Sequence, residues 1–189
     1  AYEKTVDIAE EFAHVINDEL RGLGAAGATF IQIDEPARGN VTGQQMARLF
    51  NLATDGIDAK LAFHICFGNR FSLARFKRRY SDYFPGVLEA RADQFVLEFA
   101  GREMAEIELW KDWDDGRELG AGVIDVKSFY PETPEDVAGR IRTTLQYSDA
   151  GSVYINPDCG FGWGPRYNAV AKLKAMVAGA SLVRDELSG

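Results

Sequence analysis

Four residues that can bind a metal lie in three separate apolar stretches of this sequence. His64 and Cys66 are two apart in LAFHICFGN, Glu98 lies in FVLEFA, and Cys159 lies in YINPDCGFGWGPR. The whole chain of 189 residues holds only two histidines and two cysteines. One imidazole, two thiolates and a carboxylate form the borderline-soft tetrahedral ligand set that suits Zn²⁺. The pattern indicates a zinc site, provided that the fold brings these residues together.

Each of these residues also has a structural interpretation. A free cysteine is often a small buried hydrophobic residue, and a lone strand glutamate more often pairs with an arginine. The other histidine, His14, lies within a helical pattern beside its apolar positions, and we interpret it as structural. Placement favours the metal, because residues two apart on a strand share one face. Both cysteines also stand beside glycine-bearing turns, CFGN and CGFG.

Other polar residues also lie at or near the ends of predicted strands, and the sequence leaves two roles open for each of them. Asp34, in IQIDEPA, either caps or pairs within its loop or holds a cationic group of a substrate. Asp125 and Lys127, in VIDVKS, share a strand face and form either a structural ion pair or a proton relay. Trp163 and Arg166 follow Cys159 and either cover a ligand or pack at the rim of the site.

Helical and strand patterns alternate along the chain and predict the elements that position these residues. Five β-rich apolar runs predict strands, namely TFIQIDEP, LAFHICFGN, ADQFVLEFA, GAGVIDVKS and SVYINPDCG. Helical periodicity is clearest in the first segment, with apolar residues Ile8, Phe12, Val15, Ile16, Leu20 and Leu23, and in the last, with Val170, Leu173, Val177, Ala180 and Val183. VTGQQMARLFNLATDGI and PEDVAGRIRTTLQ predict two more helices, the second with Thr133 as its N-cap.

The spacing of the strand-end residues predicts the architecture. Asp34, Cys66, Glu98, Asp125 and Cys159 follow one another at steps of 32, 32, 27 and 34 residues. A step of about 30 residues fits one strand with its returning helix, which implies a parallel α/β sheet. No G-x-G-x-x-G follows the first strand, which disfavours an open dinucleotide-binding sheet. Functional residues at several strand ends are typical of a (β/α)₈ barrel.

The chain is short for such a barrel. Eight units need roughly 250 residues, and only five are visible here. We therefore expect residues 1–189 to form the C-terminal part of a single zinc-binding (β/α)₈ barrel domain. The first three units are either missing or supplied by a partner chain.

Composition excludes several classes of protein. A net charge of −8 and a pI near 4.8 argue against a nucleic-acid partner, because phosphate needs a basic face. No apolar run approaches the roughly 20 residues of a membrane span. The first residues resemble no secretory signal, and two cysteines are too few for a disulfide scaffold. A cytoplasmic location is the expectation.

At these residues the chain resembles the catalytic domain of the cobalamin-independent methionine synthase family and its shorter homologues. The stretches INDELRGLGAAGATFIQIDEPA, HICFGN, ADQFVLEFA, GAGVIDVKS, PEDVAGRIR and INPDCGFGW occur in the family's order and spacing. The resemblance implies a TIM barrel of the methionine synthase and uroporphyrinogen decarboxylase-like type, of which this chain supplies about the last five βα units. It also implies zinc held by His64, Cys66, Glu98 and Cys159.

The resemblance further implies a reaction. In the family, zinc activates homocysteine as a thiolate that takes a methyl group from a methylated folate to give methionine. Asp34 matches the aspartate that contacts the amino group of homocysteine. Asp125 and Lys127 match the catalytic position, where the family commonly has a histidine in place of Lys127, so the acid step and the methyl donor stay open. The same superfamily includes epoxyalkane:coenzyme M transferase, and addition of such a thiol to an epoxide is the alternative.

Overall fold

The computed structural model describes residues 5–36, 41–74, 77–113 and 115–189. The strands are β1 (Phe30–Pro36), β2 (Lys60–Cys66), β3 (Gln94–Glu98), β4 (Glu118–Ile124) and β5 (Val153–Pro157). The α-helices are α1 (Thr5–Ala25), α2 (Gly43–Ala53), α3 (Trp110–Trp113), α4 (Pro134–Thr144) and α5 (Arg166–Ser188). Short 3₁₀ turns complete the described elements, at Tyr80–Asp82, Gly86–Glu89, Ala100–Arg102, Ile107–Leu109 and Ala150–Ser152.

The five strands form one parallel sheet in the order of the sequence, β1-β2-β3-β4-β5. Each strand pairs with its successor, so the sheet has no point at which the strand order reverses. A doubly wound sheet has such a point, whereas a (β/α)₈ barrel adds its strands one after another. The predicted α/β barrel-type fold is confirmed, and all five strands point their C-terminal ends to the same edge.

Two of the four connections differ from the predicted strand-plus-helix unit. Between β2 and β3 the described chain forms two 3₁₀ turns, and between β3 and β4 it forms two more with the four-residue α3. Pro85 and Gly86 interrupt the first connection. In the second, Glu103, Met104 and Glu106 have positive φ angles of 54°, 62° and 67°, which a right-handed helix cannot include. The length of each strand with its connection was therefore predicted correctly, but the helices expected in these two connections were not found among the described residues.

The other connections are helical, as predicted. Thr42 and Thr133 cap α2 and α4, each in a reciprocal capping box with the residue three positions on. Helix α1 packs against α2, and α5 packs against α4.

The apolar periodicity of the two long helices marks a face that this structure leaves largely exposed. In α1, Leu20 is 5% exposed whereas Phe12 is 62% exposed. In α5, Val183 is 4% exposed whereas Val177 is 62% exposed. In the sequence α1 precedes β1 and α5 follows β5, the two strands at the edges of the described sheet. The apolar periodicity of both helices is thus only partly used by the packing of the described residues.

The core lies between the sheet and its connecting turns and is rich in aromatic residues. Phe63 and Phe95 on neighbouring strands are buried, and the Phe84 and Trp113 rings stack at 4.0 Å between centroids. This aromatic packing holds the strands, and therefore their ends, in fixed relative positions. Among the described residues, none of the helices combines the length and the apolar character that crossing a bilayer requires.

Candidate metal centre

The strand ends carry the predicted residues to one edge of the sheet. Cys66 and Glu98 are the last residues of β2 and β3. Asp125 follows β4 directly, and Cys159 lies two residues beyond β5. Asp34 lies within β1, opposite His64 in the strand register. The C-terminal edge of the sheet therefore positions all of these side chains, as the spacing predicted.

Three of the four predicted ligands form a compact group. One ligand atom each of His64, Cys66 and Cys159 lie within 4.8 Å of one another. The two sulfur atoms are 3.7 Å apart, although 93 residues separate them in the sequence. His64 and Cys66 are buried, at 3% and 6% exposure, and Cys159 is half-buried.

The geometry of this group fits a zinc ion. Two sulfurs that each lie ~2.3 Å from a tetrahedral zinc are about 3.8 Å apart, close to the 3.7 Å between Cys66 and Cys159. The Nε2 atom of His64 is buried without a hydrogen-bond partner among the described residues. Its Nδ1 lies 3.1 Å from the Val96 carbonyl oxygen, which can accept a hydrogen bond from a protonated Nδ1 and so leave the lone pair on Nε2. Metal-bound histidines commonly have such a carbonyl partner.

The two cysteines differ in proton affinity in the metal-free protein. A hydrogen bond from Cys66 is the largest cause that lowers the pKa of Cys159, to about 4, and His64 acts in the same direction against burial. The bond with Cys159 and burial raise the pKa of Cys66. Burial lowers the pKa of His64, but its contacts with Cys159 and the charge of Asp34 outweigh burial and raise it. The group thus holds a thiolate at neutral pH, which is the form that binds metal.

Glu98 lies beside this group rather than within it. Its side chain is fully buried, and Oε2 lies 2.8 Å from Lys127 Nζ and accepts a hydrogen bond from the Phe67 backbone N–H at 3.3 Å. Its other oxygen, Oε1, has no partner among the described residues. An unpaired buried carboxylate oxygen costs free energy unless a hydrogen-bond donor or a cation satisfies it. Glu98 as the fourth zinc ligand stays a prediction.

Lys127 and Asp125 take separate partners. The Lys127 ammonium pairs with Glu98, whereas the contact with Asp125 is made by the Lys127 backbone N–H, which donates to Oδ1 at 2.9 Å. The Asp125 backbone N–H donates to Glu132 at 2.8 Å. The sequence left open an ion pair between Asp125 and Lys127. Lys127 does form an ion pair, but its partner is Glu98. The catalytic role of Asp125 and Lys127 stays a prediction.

A polar pocket of about 240 Å³ opens onto the group. Its lining includes His64 and Cys159 together with Asp34, Gln32 and Asn156. Asp34 is exposed, and its Oδ1 accepts a hydrogen bond from Gln32 Nε2 at 2.8 Å. The pocket therefore places one carboxylate and two amides beside the predicted metal ligands.

Trp163 makes a packing contact at the rim of the site, and the alternative that Trp163 and Arg166 cover a ligand stays a prediction. The Trp163 ring lies 4.6 Å from that of Phe71, and both remain about half exposed or more. Asn69 donates to the Gly160 carbonyl at 2.8 Å and so joins the turns after β2 and β5. Arg166 begins α5.

Sequence reasoning missed two buried residues that hold the strand ends together. Asp158 is fully buried and accepts hydrogen bonds from three successive backbone N–H groups, at residues 99–101. Burial, together with the charge of Glu98, raises the pKa of Asp158 to about 8, against the effect of these bonds. Tyr80, also fully buried, bonds to the backbone of Ile65 and Glu98. For Asp158, the only local signal in the sequence was an acidic residue next to Cys159. An aspartate is common in a turn such as PDCG, so this signal did not indicate a role at the site.

Comparisons with known proteins identify the family of this chain. Residues 3–182 match the family model described as "Cobalamin-independent synthase, Catalytic domain". A methionine synthase from Saccharolobus islandicus (strain L.S.2.15 / Lassen #1) is 40% identical over 190 residues, covering 98% of this chain and 54% of its own length. One from Thermococcus kodakarensis is 37% identical, covering 99% of this chain and 53% of its own length. The chain thus spans about half the length of the curated relatives it matches.

A solved structure shows the same fold. It is a B12-independent methionine synthase from Shewanella sp. W3-18-1 in complex with selenomethionine, with a TM-score of 0.81 and 29% identity. The match covers 98% of this chain and 57% of that chain. The fold, the strand-end residues and the match over nearly the whole chain lead to one conclusion: the chain belongs to the cobalamin-independent methionine synthase family, within its catalytic domain.

Proposed function

We propose that residues 1–189 are the C-terminal part of a zinc-dependent methyltransferase that methylates the thiol of homocysteine to give methionine. The observation that carries this proposal is the compact group of His64, Cys66 and Cys159, two of which, His64 and Cys159, line a polar pocket. The sulfur separation and the free Nε2 atom are those that a tetrahedral zinc requires. Membership of the family supports the reaction type.

His64, Cys66 and Cys159 would hold the zinc, with Glu98 as the proposed fourth ligand. Bound zinc would supply the positive charge that lets a thiol substrate lose its proton at neutral pH. The residues of the chain contribute the rest of the site. His64 and Glu98 are buried, which keeps water from the side of the metal site that faces the protein core. The pocket leaves the opposite side of the metal site open to a substrate.

The pocket fits a small amino-acid thiol. Its volume of about 240 Å³ is below the ~300 Å³ at which pockets for drug-sized ligands begin. The exposed carboxylate of Asp34 can pair with a substrate ammonium, and Gln32 holds that carboxylate in place. The amide of Asn156 offers a donor for a substrate carboxylate. A thiol such as coenzyme M, which has a sulfonate and no amine, would meet the like charge of Asp34.

We propose Asp125 and Lys127 as the groups that handle protons during transfer. Lys127 Nζ is 2.8 Å from Glu98 Oε2, its side chain is only 8% exposed, and Lys127 is not among the residues that line the polar pocket. Its position supports a role in controlling the charge of Glu98. The methyl donor stays open, whether a methylated folate or another donor.

The complete active protein needs more than this chain. Within the described residues no further strand pairs with the outer side of β1 or β5, and the relatives are about twice as long. We propose that an N-terminal barrel half, in the same protein or in a partner chain, closes the barrel and supplies the donor site. Two free thiols fit a reducing compartment, so we keep the cytoplasmic location as a prediction.

Metal analysis and a substrate comparison test the proposal on the full-length protein. We expect about one zinc per chain in the wild type, and loss of that zinc in Cys159→Ser. The matched control is Asp34→Asn, which should keep its zinc but show a raised KM for homocysteine. A wild type without zinc would refute the proposal, as would a zinc protein that alkylates coenzyme M but not homocysteine.

A further inference from the structure

Two fully buried side chains tie together the strand ends that carry the predicted ligands. Asp158 precedes Cys159, and the oxygens of its carboxyl group accept hydrogen bonds from the turn that follows Glu98. Phe99 and Ala100 donate to Oδ1 at 3.0 and 2.9 Å, and Gly101 donates to Oδ2 at 2.6 Å. One side chain thus fixes the turn after β3 relative to the turn after β5.

Asp158 reaches this turn across the intervening strand. Its own backbone N–H donates to the carbonyl of Ile124, the last residue of β4, at 2.9 Å. A Cβ at Gly122 of β4 would lie 2.7 Å from the Leu97 carbonyl oxygen and would also collide with Asp158 Oδ1. Only glycine leaves room for the carboxylate at this point. Three neighbouring strand ends therefore meet at Asp158.

Tyr80 makes the corresponding link on the other side of Glu98. Its hydroxyl donates to the Ile65 carbonyl at 2.8 Å and accepts from the Glu98 backbone N–H at 2.6 Å. Ile65 lies between His64 and Cys66 in the sequence. The hydroxyl thus connects the strand end with two predicted ligands to the strand end with the third.

We propose that Asp158 and Tyr80 are positioning residues of the metal centre. Neither side chain belongs to the compact group of possible ligands among the described residues. Together they fix the backbone on both sides of Glu98, and so set its distance from His64, Cys66 and Cys159. Groups that orient metal ligands typically change metal affinity by about 10- to 100-fold when they are removed. This inference rests on the proposed zinc site.

The test uses Asp158→Asn and Tyr80→Phe in the full-length protein. Asparagine keeps the size of the side chain but replaces one acceptor oxygen with an N–H₂ group that faces backbone donors. Phenylalanine removes one hydroxyl and leaves the ring packing. We expect zinc affinity, measured by competition with a chelator, to fall by about 10-fold or more in each variant. The visible spectrum of the cobalt-substituted protein should also shift, because it reports the ligand set.

A core variant separates positioning from general destabilisation. Ile141→Ala removes a buried side chain of α4 that lines a separate cavity with Leu145 and Val183, and should lower stability while leaving zinc affinity and the cobalt spectrum unchanged. Wild-type affinity and spectrum in folded Asp158→Asn and Tyr80→Phe would overturn the inference. If Asp158→Asn does not fold, Tyr80→Phe decides alone. Absence of zinc from the wild type would instead refute the proposed function.

Discussion

Lys127 Nζ lies 2.8 Å from Glu98 Oε2, in a pair whose side chains are 8% and 0% exposed. Removing one member of a buried ion pair leaves the other charge without compensation, which costs about 3–5 kcal/mol. We therefore expect Lys127→Met to lower the stability of the metal-free protein by that amount. Denaturant unfolding of the chelator-treated protein measures the loss.

Zinc should reduce this loss if Glu98 is a ligand, because the metal then supplies the positive charge that Lys127 no longer provides. Arg142→Met is the matched control, since Arg142 pairs with Glu186 at an exposed position and should change stability little. An equal loss with and without zinc would argue against Glu98 as a ligand.

Zinc removal should expose Cys66 and Cys159 to oxidation. Their sulfurs are 3.7 Å apart, and a disulfide requires ~2.05 Å. Because the pKa of Cys159 is lowered to about 4 in the metal-free protein, the reactive thiolate is present at neutral pH. We expect an intramolecular disulfide after chelation in air, detected by peptide mass spectrometry.

The zinc-loaded protein is the control for this oxidation. It should keep both thiols reduced under the same oxidant, and treatment with a reductant should restore zinc binding to the oxidised sample. Equal rates of oxidation with and without zinc would contradict the placement of both sulfurs at one metal.

The positions of the candidate ligands were predictable because they depend on local rules. Side chains two apart on a strand share a face, and parallel strands end at one edge, so His64, Cys66 and Cys159 were expected to converge if the sheet curves as a barrel does. The strand spacing also predicted a parallel α/β sheet, and the absence of a G-x-G-x-x-G turn disfavoured a doubly wound order of its strands. These properties need no knowledge of which side chains pair across the sheet.

The remaining features depend on contacts between distant segments. Lys127 pairs with Glu98, 29 positions away, and Asp158 links the end of β5 to the turn after β3. Neither contact leaves a pattern in the local sequence. The apolar stripes of α1 and α5 were visible, but their periodicity gives the face of a helix and not what covers it. The positive φ angles at Glu103, Met104 and Glu106 are set by packing, so the loss of a helix there was not predictable.

A second buried ion pair predicts how stability depends on pH. Lys172 in α5 is 1% exposed, and its Nζ lies 2.8 Å from Oε2 of Glu132. Burial raises the pKa of Glu132, but the bond from Lys172 and the backbone N–H of Asp125 outweigh burial and lower it. The pair therefore stabilises the fold above the unfolded pKa of ~4.3, and that contribution is lost as pH falls through the lower folded pKa.

Glu132→Gln should cost about 3–5 kcal/mol at pH 7, since it leaves Lys172 buried and unpaired. The difference from wild type should shrink below about pH 4, where the wild-type carboxylate also takes up a proton. The double variant with Lys172→Met should recover much of the loss. Unfolding curves at several pH values measure both effects, and a difference that grows in acid would contradict the sign.

Two glycines should respond oppositely to alanine. A Cβ at Gly122 meets the Leu97 carbonyl and Asp158, so Gly122→Ala should destabilise the fold by about 1–3 kcal/mol and weaken zinc binding. Gly139 lies within α4, and a Cβ added there would have no neighbour within 4 Å, so Gly139→Ala should stabilise the helix by roughly 0.5–1 kcal/mol. Thermal unfolding and zinc titration distinguish the pair, and similar effects at both positions would contradict the crowding at Gly122.

The exposed apolar face of α1 should behave differently in the isolated chain and in the full-length protein. Phe12 is 62% exposed here, so Phe12→Glu should leave the stability of the 189-residue chain nearly unchanged and reduce its self-association. If an N-terminal barrel half covers this face, the same substitution buries a charge there and destabilises the full-length protein by several kcal/mol. Lys174→Glu, at an exposed polar position of α5, is the control and should have little effect in either form. Sedimentation and thermal unfolding of both forms give the comparison, and an equal, small effect of Phe12→Glu in the two forms would show that α1 faces solvent in the complete protein.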